Sequence, residues 1–300
     1  MRIGYFGGDT AGRTIDDVVA DARAAEQDGF STYALPQIFG LDAMGVLAVV
    51  GREVPRIELA TGVVPTYGRH PITMAQQALT VQAASGGRFA LGIGLSHQMV
   101  IEGMFGLSFD KPLRHMREYL DVLMPLLNDG KADVDGQTIS THAAIDVAGR
   151  TAPSVMLAAL GPKMLELAGR VTNGTMTWMT GPATLSSHIV PTITAAAESA
   201  GRPAPRVVVA LPISVTNDAD AARERAAKDF LVYGFLPSYR AMLDREGAAG
   251  PADVAVVGDE ATVTKELGRI ADSGATEFVA SIFGERDERE ETRALLKSMI

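Results

Sequence analysis

The sequence predicts a (β/α)8 TIM barrel with an excursion after the fourth β/α unit, because eight short apolar strands alternate with helical segments along 300 residues. Several of these strands are apolar on both faces, Val207-Val208-Val209-Ala210-Leu211 most clearly. Such a pattern suits a strand covered by helices on one side and by a filled barrel interior on the other. From Ile57 to His97 two strand-like runs flank a helix, and both end in turns marked by glycine and polar residues. In parallel β/α folds ligands bind at those carboxyl ends. A doubly wound open sheet shares the strand count and remains the alternative at this point.

The elements follow in order. Arg2 to Phe6 reads as the first strand and Ile15 to Asp28 as the first helix, with Thr14 as cap, Asp17 three positions on, apolar residues at Ile15, Val18, Val19 and Ala22, and Gly29 at the end. A strand near Thr32 to Leu35 precedes a helix from about Leu41 to Arg52. The third strand is Ile57 to Val64, followed by a Pro/Gly loop and a helix from Ile72 to Ser85. Arg88 to Ile93 forms the fourth strand, and a helix covers Leu113 to Leu127. Residues 128–151, rich in Gly, Asp and Thr and without helical period, form the excursion. The rhythm resumes with Val155 to Leu160, a helix from Pro162 to Val171, Gly174 to Trp178, a helix from about Ala183 to Ala200, and Arg206 to Val215. A long helical region then runs through Arg245, an extended piece occupies Val254 to Val257, and a helix from about Glu260 to Ser273 leads to the last strand, Glu277 to Ile282. The charged run from Glu285 to Arg293 reads as a solvated helix surface. One domain over residues 1–300 is the expectation.

Composition narrows the class. Apolar residues make up 47% of the chain but never run long enough for a membrane span. The net charge of −9 argues against a nucleic-acid or anionic-membrane surface, while leaving room for a local anion site. The absence of cysteine excludes disulfides, thiolate metal sites and cysteine nucleophiles. Met1 passes directly into the strand-like Arg2-Ile3-Gly4-Tyr5-Phe6 without a leader-like segment, so a cytoplasmic protein is expected.

Catalytic motifs are few. His70, His97, His115, His142 and His188 show no metal-binding spacing, so no metal site is expected. Neither a GxSxG elbow nor a Walker A motif occurs. Gly92-Ile93-Gly94-Leu95-Ser96-His97 begins like a dinucleotide fingerprint, but His97 stands where the third glycine would be, and the segment follows the fourth strand rather than the first. Tight turns beside a ligand explain its glycines better. Ala158-Ala159-Leu160-Gly161-Pro162-Lys163 turns a buried strand directly into a helix, with outward-pointing amides and a lysine in the first turn, where the helix dipole disfavours a cation. That start suits a phosphate, or serves simply as a good helix cap. Arg69 and His70, before Pro71, form a similar case.

The run TGVVPTYGRHPITMAQQALTVQAASGGRFALGIGLSH, followed by Lys111 to Leu120, Val134-Asp135-Gly136, Leu160 to Val171 and Gly258 to Gly274, resembles the luciferase-like flavin and deazaflavin oxidoreductases over nearly the whole chain. Within that superfamily the similarity is greatest to the coenzyme F420-dependent group, whose fold is a TIM barrel with an excursion. The resemblance implies a non-proline cis peptide between Gly62 and Val63 against the deazaflavin ring. It also implies Leu95, Ser96 and His97 beside the ring and ribityl chain, and Ala158, Ala159, Leu160 and Gly161, with Lys163, at the coenzyme phosphate. A homodimer formed through barrel helices is expected on the same grounds.

The end of the second strand departs from the alcohol and sugar dehydrogenases of the group, with Leu35-Pro36-Gln37 in place of an Asp-His pair. Gln37 has no basic atom to take an alcohol proton, so reduction of an activated C=C, C=N or C=O bond is the expected direction. His97 and Asp9 are the titratable candidates at the reacting centre. His97 serves equally as a structural or coenzyme-bonding residue, and Asp9 equally as a cap for the first loop. Tyr67, Met99 and Trp178, with Met104, Phe105, Met176 and Met179 nearby in the pattern, are expected to line an apolar pocket for a small organic substrate, or else to fill gaps between helices and barrel. The rival readings are an FMN-dependent monooxygenase, a cofactor-free lyase or isomerase using the fifth-strand amides for a substrate phosphate, and a non-catalytic coenzyme carrier.

Overall fold

The computed structural model describes residues 1–300. Its strands are β1 (Arg2–Phe6), β2 (Thr32–Leu35), β3 (Glu58–Thr61), β4 (Val64–Pro65), β5 (Phe89–Gly94), β6 (Lys131–Val134), β7 (Thr141–Ala144), β8 (Ser154–Leu157), β9 (Gly174–Trp178), β10 (Arg206–Val215), β11 (Val256–Gly258) and β12 (Glu277–Ile282). Strands β10, β12, β1, β2, β3, β5, β8 and β9 follow one another in that order, and β9 pairs back to β10, which closes an eight-stranded parallel barrel. This is the expected (β/α)8 fold rather than an open sheet, since an open sheet would leave two edges unpaired.

The eight strands of the sequence reading match the eight barrel strands. The third is interrupted, however, and appears as β3 and β4. The extended piece near Val254 forms the additional strand β11 on β10. The excursion is an antiparallel hairpin, β6 with β7, which has no helical period because its residues alternate across a ribbon. The long region before Arg245 breaks into helices Ala219–Asp229 and Pro237–Glu246 around a 3₁₀ turn at Leu231–Gly234. The charged run ends the chain as helix Arg286–Ser298. No helix is long and apolar enough to cross a membrane.

Helix starts follow local chemistry. Thr14 accepts from the Asp17 amide at 3.1 Å, and Asp17 accepts from the Thr14 amide at 2.8 Å, so the expected capping box forms. Asp42, Asp218 and Asp259 cap their helices through the amides of Gly45, Ala221 and Thr262.

The chain divides into two compact units, one of residues 1–6, 27–33 and 159–300, the other of residues 7–26 and 34–158. In the first, Val207 to Leu211 lie almost wholly buried along β10. Glu277, also buried, sits among Arg206 Nη2 at 2.7 Å, Ser31 Oγ at 3.1 Å and Thr32 Oγ1 at 2.5 Å, which supply the donors that a buried carboxylate requires. Ala222, Ala226, Ala255, Val257 and Phe283 make a satellite cluster on β11.

In the second unit the core includes Leu59, Met74, Leu91, Ile93 and Leu123, and the hairpin is tied to it by one carboxylate. Glu118, on helix Pro112–Asn128, accepts from the amides of Gln137 (3.2 Å), Thr138 (2.7 Å) and Ile139 (3.0 Å), and from Thr138 Oγ1 at 2.6 Å. Burial alone would raise its pKa, but these donors overcome that effect and hold it at about 2. A depressed carboxyl pKa means that the ionised form contributes stability above the ordinary value near 4.5 and loses that contribution as pH falls towards 2. Replacement of Glu118 by Gln is therefore expected to cost about 1–3 kcal/mol at pH 7. Urea unfolding of both proteins from pH 7 down to pH 3 should show the difference shrinking with acidification.

Candidate functional site

In the unit of residues 7–26 and 34–158, β3 and β4 both pair with β5, but not in one register. Leu59 and Ala60 face Phe89 and Ala90, while Val64 and Pro65 face Ile93 and Gly94. Three residues, Thr61, Gly62 and Val63, thus oppose two, Leu91 and Gly92, which makes a one-residue bulge. The Gly62-Val63 peptide within it is cis, as the resemblance implies. Thr61 locks the bulge by accepting from the Gly92 amide at 2.9 Å and donating to the Gly92 carbonyl at 2.8 Å.

Gly92 and Gly94 have a different role from the one expected of them. Both lie inside β5, and neither adopts a positive φ, so no tight turn needs them. A Cβ on Gly92 would stand 2.1 Å from the Thr61 carbonyl oxygen, and one on Gly94 would stand 2.9 Å from Val63 Cγ2. The GxG pattern provides room for the bulge.

Beyond β5 the chain turns at Ser96, which takes a left-handed φ of 60°, a conformation that disfavours an L residue. His97 then starts the short helix Gln98–Gly103, its carbonyl accepting from Val100 and Ile101 at 2.9 Å. Burial pushes the His97 imidazole below its ordinary range and favours the neutral ring at pH 7. Met99 lies on this helix and is 65% exposed. Asp9 is exposed, and its Oδ1 accepts from the Ala11 amide at 3.1 Å, the loop-capping alternative. Gln37 Oε1 accepts from the Ala43 amide at 2.9 Å and holds the start of helix Ala43–Glu53.

Tyr67 is buried in an aromatic stack. Its ring lies 3.9 Å from that of His115 at an interplanar angle of 6°, with Phe109 at 5.3 Å, and its hydroxyl has no partner. Burial, then the charge of Asp110, raises its pKa, so it stays protonated. His115 Nε2 lies 3.0 Å from Thr66 Oγ1, and Tyr119 donates to the Arg69 carbonyl at 2.9 Å. Arg69 pairs with Asp42.

In the unit of residues 1–6, 27–33 and 159–300, Gly161 caps helix Pro162–Val171 with no side chain engaged, and Gly161, Pro162 and Lys163 are exposed. The segment before it is fixed on both sides. Thr175 Oγ1 on β9 lies 3.3 Å from both the amide and the carbonyl of Ala159, and His188 Nε2 donates to the Leu160 carbonyl at 2.8 Å. In the other unit, Ala158, the residue after β8, donates to the Ile93 carbonyl at 2.8 Å. An uncapped, exposed helix start carrying a lysine fits a phosphate. Thr175 and His188 were not singled out from sequence. His188 lies on a π-helical turn, Leu185–Ile189, which no short-range pattern announces. Trp178 ends β9, stacked at 5.9 Å on Phe6 of β1. No group of three or more His, Asp or Glu side chains is arranged to hold a metal ion.

These observations agree with the comparisons. The profile of the luciferase-like monooxygenase family matches residues 2–279. A Mycobacterium tuberculosis (strain H37Rv) protein, provisionally named coenzyme F420-dependent oxidoreductase Rv3520c, is 32% identical over 194 residues, which is 58% of this chain and 53% of that protein. The chain therefore matches about half the length of that relative. The 5,10-methylenetetrahydromethanopterin reductase of Methanolobus tindarius is 30% identical over 238 residues, 79% of this chain and 72% of the other. Among solved structures, the coenzyme F420-dependent tetrahydromethanopterin reductase from Methanopyrus kandleri superposes with a TM-score of 0.80 at 23% identity, over 100% of this chain and 97% of that one. At that identity the likeness speaks for the fold.

The bulge and the helix start respond differently to added volume. Gly92→Ala should cost more than about 3 kcal/mol or abolish folding, because the new methyl group meets backbone rather than a movable side chain. Gly161→Ala, with nothing within 4 Å of the added carbon, should cost under about 1 kcal/mol. Thermal melts of the two variants check the contrast.

Proposed function

Since this chain belongs to the luciferase-like monooxygenase family, we propose that it is a coenzyme F420-dependent oxidoreductase that reduces an activated C=C, C=N or C=O bond of a small organic substrate. The observation that carries the reading is the exposed helix start at Gly161-Pro162-Lys163, free of a side-chain cap and held by Thr175 and His188. The name of the Mycobacterium tuberculosis relative supports the choice of deazaflavin.

In this reading Ala158, Ala159, Leu160, Gly161 and Lys163 hold the coenzyme phosphate through amides and one ammonium group. Gly62, Val63, Leu95, Ser96 and His97 hold the ring and ribityl chain. When bound, the deazaflavin supplies a hydride at C5. His97, kept neutral by burial, acts as a hydrogen-bonding partner rather than as an acid. Asp9 and Gln37 are engaged with backbone amides and shape the first two loops. Without a base at Gln37, alcohol oxidation lacks a proton acceptor there, which favours reduction completed by a proton from water. Trp178, Tyr67 and Met99 belong to the substrate side.

Fluorescence titrations with oxidised F420 and with FMN at matched salt test the reading. Saturable F420 binding with weak FMN binding is expected. Preference for FMN would support the monooxygenase alternative, and binding of neither would favour a cofactor-free lyase or isomerase. A second test separates the phosphate from the rest of the coenzyme. Gly161→Asp places a good helix cap at an N-cap, so stability should hold or rise by a few tenths of a kcal/mol. Its carboxylate should weaken F420 binding at least about tenfold by repelling the phosphate. The dephosphorylated deazaflavin should bind the variant and the parent equally, and equal F420 affinity in both proteins would overturn the phosphate assignment.

A further inference from the structure

Two consecutive carbonyls lead into the open helix start, and each is tied to a different element. Thr175 Oγ1 donates to the Ala159 carbonyl at 3.3 Å, and His188 Nε2 donates to the Leu160 carbonyl at 2.8 Å. A carbonyl oxygen only accepts, so His188 carries a hydrogen on Nε2. The Thr175 hydroxyl also accepts from the Ala159 amide at 3.3 Å, which leaves that amide engaged. The Leu160 and Gly161 amides have no partner in the protein. A trans peptide sets its N–H antiparallel to its C=O, and the chain's one cis bond is Gly62-Val63. Fixing the Leu160 carbonyl on His188 therefore turns the Gly161 amide the opposite way. Gly161 is exposed, with nothing within 4 Å of a Cβ placed on it, so its surroundings are open to a ligand.

Helix geometry places His188 for this contact. The residue is buried on the π-helical turn Leu185–Ile189, which runs directly into helix Val190–Ser199. Helix Pro162–Val171 lies close against that helix, since a Cβ on Gly169 would stand 2.9 Å from Ala196 Cβ and would also meet the Ile193 carbonyl. A π turn adds one residue to the ordinary helical turn, a departure found most often at functional sites. Leu160 itself is half-buried, so water could satisfy its carbonyl without a buried histidine. What water cannot do is hold the peptide plane in one orientation.

We propose that His188 is a positioning residue for the coenzyme phosphate, which fixes the Leu160 carbonyl and so aims the Gly161 amide at the phosphate. This inference rests on the F420 oxidoreductase reading and deepens it, because it assigns the orientation of the phosphate donors to a side chain that never touches the ligand. Amide bonds to a phosphate depend on alignment, and a peptide plane set before the ligand arrives does not have to be ordered by it.

In protein labelled with ¹⁵N-glycine, the Gly161 amide signal is identified by its loss in Gly161→Ala. Saturating F420 should move this proton signal downfield. His188→Leu removes the donor, so F420 affinity, read by fluorescence, should fall about three- to tenfold, the range of one hydrogen bond, and the Gly161 response should shrink with it. The dephosphorylated deazaflavin should bind variant and parent equally, which a general loosening of the fold would not allow. His188→Gln keeps an amide donor and should recover the F420 affinity. His188→Asn, polar but too short to reach Leu160, repeats the comparison should His188→Leu not fold. Equal F420 affinity in the parent and the donor-less variants, or an equal loss for the dephosphorylated compound, would overturn the proposal. A parent that binds no F420 rejects the coenzyme reading instead, and inorganic phosphate then tests His188 alone. A saturable Gly161 shift in the parent that weakens in His188→Leu, or in His188→Asn should that variant not fold, would retain the positioning role, while no shift, or the same shift in both proteins, would reject it as well.

Discussion

The bulge at Thr61-Gly62-Val63 is the constraint on which its unit's strand ends depend. An extra residue in one strand of a parallel pair must displace its neighbour or find room, and here β5 makes room by giving up side chains at Gly92 and Gly94. The cost is the apolar surface that larger residues would have buried and the backbone entropy of two glycines. Two hydrogen bonds between Thr61 and Gly92 recover part of it. Register then resumes at Val64, and the Thr66 amide reaches the Gly94 carbonyl at 2.9 Å. The turn at Ser96 and the setting of His97 follow from a strand whose end is fixed in this way.

The fold was legible because barrel strands bury both faces. Val207 to Leu211 carry that signature in five consecutive letters, and burial bears it out. The Thr14–Asp17 box and the Gly161-Pro162 start were equally readable, since both depend on residues three or fewer positions apart. Reading failed where the cause was distant in sequence. Gly92 and Gly94 looked like turn residues because their reason lies about thirty positions earlier, in the carbonyl of Thr61 and the side chain of Val63. His188 and Thr175 carried no signal, because each acts on a backbone group of the Ala159–Leu160 segment supplied by another element. The stack that buries Tyr67 carried no signal either, because it requires His115 from a helix that periodicity alone could not orient.

Charge is placed with equal economy. Glu277 and Glu118, the two buried carboxylates, are both surrounded by donors and serve architecture rather than chemistry. Glu277 lies at the amino ends of β1 and β12, away from the carboxyl ends where parallel barrels bind ligands. Glu118 anchors a surface hairpin. The carboxyl-end residues Gln37 and His97 are uncharged or held neutral, and Asp9 is engaged as a cap. With no basic atom at Gln37 and a neutral ring at His97, a coenzyme that brings its own reactivity is favoured over acid–base catalysis by these side chains.

Strand β9 carries both the support of the open helix start and the buried indole of its unit. Thr175 fixes both backbone groups of Ala159 just before the open helix start, and Trp178, three residues further along the same strand, carries the unpartnered indole. At about 3.3 Å per strand residue, the two positions lie roughly 10 Å apart along the strand. Odd and even positions of a strand face opposite ways, so a spacing of three lets one strand serve its neighbour's turn with Thr175 and a different surface with Trp178. Rigid β-structure sets such a separation far more closely than two loops would, and oriented hydride transfer depends on distances of that kind being fixed before the substrate arrives.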